Sequence, residues 1–109
     1  MIKKIKVTPS SGNVFADLGV ADAEETLAKA EVASRICDLI AERKLSQTMA
    51  AVILGVDQPK VSALMHGRLE GFSSDRLFRF LNSLDRDVEI VIKPKSQEAD
   101  HGRVRVVVV

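Results

Sequence analysis

The chain has 109 residues, 46% of them hydrophobic and 28% charged, with a formal net charge of +1. That suits one globular domain with a core of its own, and near-neutrality excludes a coat protein that grips nucleic acid by bulk charge. No apolar run approaches a membrane span, no signal-peptide core opens the chain, and the single Cys37 excludes an internal disulfide or a CxxC metal pair, so the expected location is a reducing cytoplasm.

Three stretches divide the sequence: an N-terminal arm and loop over 1–21, a helical bundle over 22–86, and C-terminal strands with a polar linker over 87–109. Met1 to Thr8 reads as a short basic strand or arm, or as a frayed end. Ser10 to Asn13 signals a turn. Val14, Phe15 and Leu18 follow at helical spacing, and the reading is one loose turn docking on the body. Asp22, with Glu25 three residues on, predicts a capping box opening a helix to about Lys44. Its apolar stripe is read as Ala30, Ala33, Ile36, Cys37 and Ile40, with Arg43 and Lys44 in the last turn where cations suit the helix dipole. Cys37 lies on that stripe and is read as core packing.

Leu45 to Gly67 is the most informative stretch. Ser46 can cap a helix, Ala50, Val52, Ile53 and Leu54 supply its apolar surface, and Gly55 fits a left-handed closing position. Asp57 can cap a second helix with Pro59 in its first turn. Val61 and Leu64 turn to the core, which leaves Gln58, Lys60, Ser62 and Ala63 outward. An amide, a cation, a hydroxyl and a small residue on one short helix match the donors and acceptors of a DNA groove. The charge balance agrees: from Glu42 to Arg68 the bases are Arg43, Lys44, Lys60 and Arg68, against Glu42 and Asp57.

Gly67 and Gly71 bracket a loop, and Ser73 or Ser74 starts a helix to about Leu84 with the stripe Leu77, Phe80, Leu81 and Leu84. Phe78 lies beside that stripe, either widening the core face or standing at a dimer contact. Asp87 to Lys93 reads as a strand with Val88, Ile90 and Ile92 on one face, and Pro94 ends it. A lone strand cannot satisfy its own ladder. Its partner is the same strand of a second chain, the basic N-terminal segment, or the tail. Arg103 to Val109 is again strand-like, and is expected to pair with Asp87–Lys93 or with another protein.

Catalysis finds little support. His66 and His101 lie in different regions without a second metal ligand at helical spacing, Glu24 and Glu25 are adjacent first-turn acids, and there is no glycine-rich phosphate loop. No enzyme activity, metal or cofactor is expected.

Leu45 to Gly67 resembles the DNA-binding module of lambda-type repressors and the wider XRE/Cro group of regulators. Ser11 to Gly19, Asp57 to Leu64, Gly71-Phe72-Ser73, Asp87 to Ile90 and Pro94 resemble the narrower HigA type of antitoxins and regulators. The resemblance implies an all-α, lambda repressor-like helix–turn–helix bundle with a short C-terminal β-strand. It implies a repressor that binds an inverted-repeat operator in double-stranded DNA as a homodimer, through Val88, Ile90 and Ile92, with Phe78 the further candidate contact. Many similar proteins neutralise a toxin of the RelE/HigB fold. Carried onto this chain, the pattern makes Gln58 a base reader, Lys60 a reader of guanine or a phosphate contact, and places Ser62 and Ala63 near base edges. Gln47 would bond a phosphate or brace Gln58, and Arg43, Lys44, Ser46, His66 and Arg68 would position phosphates around the rim.

Overall fold

The computed structural model describes residues 3–6 and 22–109, the first segment as backbone only. The turn at Ser10–Asn13 and the Val14, Phe15 and Leu18 cluster lie outside the described residues. In chain order the elements are β1 (Lys3–Lys6), α1 (Asp22–Glu42), α2 (Gln47–Leu54), α3 (Gln58–Met65), α4 (Ser74–Ser83) and β2 (Glu89–Ile92). The fold is the expected helical bundle carrying a helix–turn–helix pair, α2 and α3, with a short C-terminal strand.

Polar caps start the three later helices. Ser46 accepts from the Met49 amide at 3.1 Å, Asp57 from that of Lys60 at 3.0 Å, and Ser73 from that of Arg76 at 3.2 Å. Each satisfies an amide that has no partner inside its helix. Asp22 is itself helical, so it stands with Glu24 and Glu25 as a first-turn acid rather than before the helix.

The four helix ends share one backbone device. An amide two residues past a left-handed residue's predecessor returns to a carbonyl five positions back: Leu45 to Ile40, Val56 to Ala51, Arg68 to Ala63 and Arg86 to Leu81, all between 2.9 and 3.1 Å. The left-handed residues are Lys44, Gly55, Gly67 and Asp85, with φ of 55°, 70°, 73° and 63°. This closure satisfies carbonyls that would otherwise be orphaned. It also corrects the expected end of α1. Arg43 and Lys44 lie past the last helical residue, because the chain turns left-handed at Lys44 and not at a glycine.

The core draws on every helix. Ala28, Val32, Ala33, Ile36, Leu39 and Ile40 are buried from α1, Ala50, Ala51 and Leu54 from α2, and Val61 and Leu64 from α3. Leu77, Phe78, Phe80, Leu81 and Leu84 come from α4 and its end, and Phe72 from the preceding loop. Two phases differ from expectation. Ala30 is exposed, whereas Ala33, Ile36 and Ile40 of the expected stripe are buried and Ala28, Val32 and Leu39 join them. Val52, expected on the apolar surface of α2, is 73% exposed, while Ala51 at the helix crossing is buried. Phe78 is 5% exposed, so it widens the core of its own chain and is not available as a dimer contact.

β1 pairs antiparallel with β2 in the register Lys3 to Ile92, Lys4 to Val91, Ile5 to Ile90 and Lys6 to Glu89. Of the two partners open to β2 within its own chain, the basic N-terminal segment is the one used. The expected strand over Arg103–Val109 does not form. Val104 and Val106 instead pack against the core as irregular chain, while Val107, Val108 and Val109 are exposed. Among the described residues no helix is long and apolar enough to cross a membrane.

Candidate nucleic-acid interface

α3 has eight residues, and its two buried side chains, Val61 and Leu64, fix which face is left outward. Its position rests on α2, on the αL turn at Gly55, and on Cys37 of α1, whose Sγ donates to the Leu64 carbonyl at 3.9 Å. Burial pushes the Cys37 thiol up from its ordinary pKa, with the neighbouring Asp38 charge adding to the shift. A thiol held protonated between two helices is packing, not a nucleophile.

On the outward side Gln58 is exposed, and Lys60, Ser62 and Ala63 are half-buried. These four are brought together on one short helix. Pro59 occupies the first turn, where its missing amide hydrogen costs nothing, and offers apolar surface in place of a polar side chain. A shallow groove runs beside α3, lined by Asp57, Pro59, Lys60 and Ala63 from the helix and its cap and by Arg68, Glu70, Gly71 and Phe72 from the following loop. Lys29 of α1 ties that loop down, its Nζ donating to the Leu69 carbonyl at 3.5 Å.

The rim residues divide. Ser46 spends its hydroxyl on the α2 cap, and Gln47 is the first residue of α2, half-buried. Lys44 and Arg68 are exposed, and both sit in helix-closing turns. Arg43 is used inside the fold: its Nη2 donates to the Leu84 carbonyl and lies 3.3 Å from the Asp85 carboxylate. It ties the end of α1 to the end of α4. His66 closes α3, and its Nδ1 donates to the Ser62 carbonyl at 2.7 Å, with the Ser62 hydroxyl 3.5 Å away. With Nδ1 so engaged, a neutral His66 offers only an acceptor at Nε2. It can donate to a phosphate only when protonated.

Two residues that do not stand out in the sequence as site residues enter the geometry here. The Phe72 ring holds the Lys60 Nζ 5.8 Å from its centroid and the Arg76 guanidinium carbon at 5.6 Å. It packs edge-on against Phe80, with centroids 5.9 Å apart and planes at 75°. The available signal was local: Arg76 is a cation in the first turn of α4, where the helix dipole favours acids.

The helix–turn–helix domain family matches residues 14–93 of this chain. A solved structure assigned to the XRE family of transcriptional regulators is similar at 47% identity and a TM-score of 0.78. That match covers 82% of this chain and 100% of the other. None of the curated proteins matches significantly.

Proposed function

This chain belongs to the helix–turn–helix domain family and is a DNA-binding transcriptional regulator of the XRE type, and from that premise we propose that it is a sequence-specific repressor acting as a homodimer. The observation that carries the reading is the outward face of α3. Gln58 is exposed and Lys60 is accessible, on a helix capped at both ends and held by Val61 and Leu64. A helix so fixed presents its side chains to a major groove in one orientation. Gln58 then reads a base, with adenine N6 and N7 the geometric match for its amide, and Lys60 meets guanine or a phosphate. Ser62 and Ala63 lie near base edges. Lys44, Gln47 and Arg68 bond phosphates at the rim, joined by His66 when it is protonated.

The homodimer places two copies of α3 about 34 Å apart, on half-sites one helical turn from centre to centre. β2 carries the joining surface. One edge of β2 is taken by β1, and Val88 and Ile90 pack on their own core. The exposed Val91 and Ile92 are the surface offered to a second copy.

The test uses labelled duplexes from the segment upstream of the protein's own reading frame. Lys60→Ala is expected to weaken binding to every duplex. Gln58→Ala is expected to relax preference at one base position by ~1–3 kcal/mol. Unchanged affinity and unchanged base preference in both variants would remove these roles. Analytical ultracentrifugation checks the dimer, and a monomer mass with and without DNA rejects it.

The exposed Val107, Val108 and Val109 favour a second reading alongside the first. The same protein neutralises a toxin of the RelE/HigB fold, as the resemblance to HigA-type antitoxins implies, and the apolar tail is the natural contact. Co-purification with a small protein encoded beside it supports this. A monodisperse homodimer lacking such a neighbour counts against it.

A further inference from the structure

The outward face of α3 does not account for Arg76. Arg76 is fixed at the third position of α4, its amide held by the Ser73 cap. A cation there opposes the helix dipole, so local helix stability does not explain it. Its guanidinium lies 5.6 Å from the Phe72 centroid and 5.8 Å from that of Phe80. Lys60 of α3 lies 5.8 Å from the same Phe72 ring. Two cations thus contact one aromatic ring at the edge of the groove beside α3, which Arg68 lines from the loop together with the carboxylates of Asp57 and Glu70. Among the described residues, none of Lys60, Arg68 and Arg76 forms an ion pair. The rings attract the cations and restrict their side chains. Among the described residues no carboxylate pairs with Arg76, which leaves its charge for an external anion.

The anion that suits this arrangement is a backbone phosphate. A planar guanidinium matches the oxygens of a phosphodiester, and a place over aromatic rings leaves it N–H donors for them. We propose that Arg76 is a DNA-backbone clamp: held over the Phe72 ring that Lys60 also contacts, it binds a phosphodiester flanking the bases that α3 reads. This rests on the reading of α3 as a DNA-recognition helix. The contact carries no sequence information itself and sets the register in which Gln58 meets its base. Phe72 is the positioning residue, since its buried ring holds one cation from each helix.

Fluorescence anisotropy on the full chain tests the clamp, with the upstream duplex and a scrambled duplex of equal length, from about 50 to about 200 mM salt. Arg76→Gln is expected to lower the slope of log affinity against log salt by about 1 and to weaken both duplexes alike, by about tenfold. Arg76→Lys, which keeps the charge, recovers most of the slope. Arg79→Gln removes an exposed cation from the same helix and leaves the slope near the wild-type value. Melting curves of the three variants confirm folding, and the slopes are compared at a temperature where all three are folded. Equal slopes for wild type and Arg76→Gln, or an equal drop in Arg79→Gln, overturn the clamp while leaving the reading of α3 intact. A wild-type chain that binds neither duplex overturns the reading of α3, and the clamp with it.

Discussion

The bundle over 22–86 and the C-terminal stretch over 87–109 are both rich in branched apolar residues, and the fold treats them differently. In the bundle the helical stripes meet one another, so Ile36, Leu64, Leu77 and Leu84 are essentially removed from water. Beyond residue 86 the same chemistry is half satisfied. Val88, Ile90, Val104 and Val106 touch the core from one side, while Val91, Ile92, Val107 and Val108 face out. The difference is one of period. A 3.6-residue repeat closes against neighbouring helices of the same chain. A two-residue repeat needs a ladder, and β1 supplies one edge over four residues. The bundle therefore carries the stability and, as proposed, the reading surface, while the C-terminal stretch carries the surface proposed for a partner.

Core truncation gives the largest separation between the two regions. Leu77, 0% exposed, anchors α4. Leu77→Ala is expected to cost ~2–5 kcal/mol in urea unfolding, the range for a leucine whose cavity does not collapse. Val106→Ala, at a half-buried position outside any ladder, is expected to cost less than ~1 kcal/mol. Similar losses at both positions would show that the tail belongs to the core and would break the comparison.

The helix closures give a smaller effect inside the bundle. A Cβ added at Gly55 meets nothing within 4 Å, so any penalty comes from the backbone at φ of 70°. Gly55→Ala is expected to cost ~1–2 kcal/mol. Lys44 holds the same conformation with a side chain in place, and Lys44→Gly is expected to raise stability by up to ~1 kcal/mol. Thermal melts of the pair check the opposite signs. A shared sign would mean that the closures are not equivalent.

These closures also mark where the sequence is readable. Gly55 and Gly67 announce left-handed positions because glycine adopts them freely, and the caps at Ser46 and Asp57 announce helix starts by their oxygens. Lys44 and Asp85 give no such sign, since their conformation is imposed by the hydrogen bonds around them. The α4 stripe is legible because Leu and Phe discriminate between faces. Ala30 misleads on α1 because alanine tolerates either face. The outward side of α3 follows from Val61 and Leu64. The Phe72 platform does not, because it joins residues 60, 72 and 76 across a loop whose path depends on the tie from Lys29 to Leu69. For the tail, alternation of Arg and Val predicts a strand but cannot supply the neighbour that a strand requires.

Removing residues 103–109 gives the smallest expected effect and the sharpest division of labour. The deletion takes away the packing of Val104 and Val106 and the exposed valines, but keeps His101, whose Nε2 lies 3.3 Å from Glu24 at the start of α1. A contact so exposed contributes little by itself. The shortened chain is expected to lose ~1 kcal/mol or less, a shift of about 4–8 °C at most in melting temperature for a domain of this size. Its affinity for operator DNA should match the full chain within a factor of about two, since α2, α3 and the Phe72 platform are untouched. Capture of a toxin of the kind proposed should be lost in the same variant. If DNA affinity falls instead, the tail acts on the reading surface, and the bundle alone does not define the site.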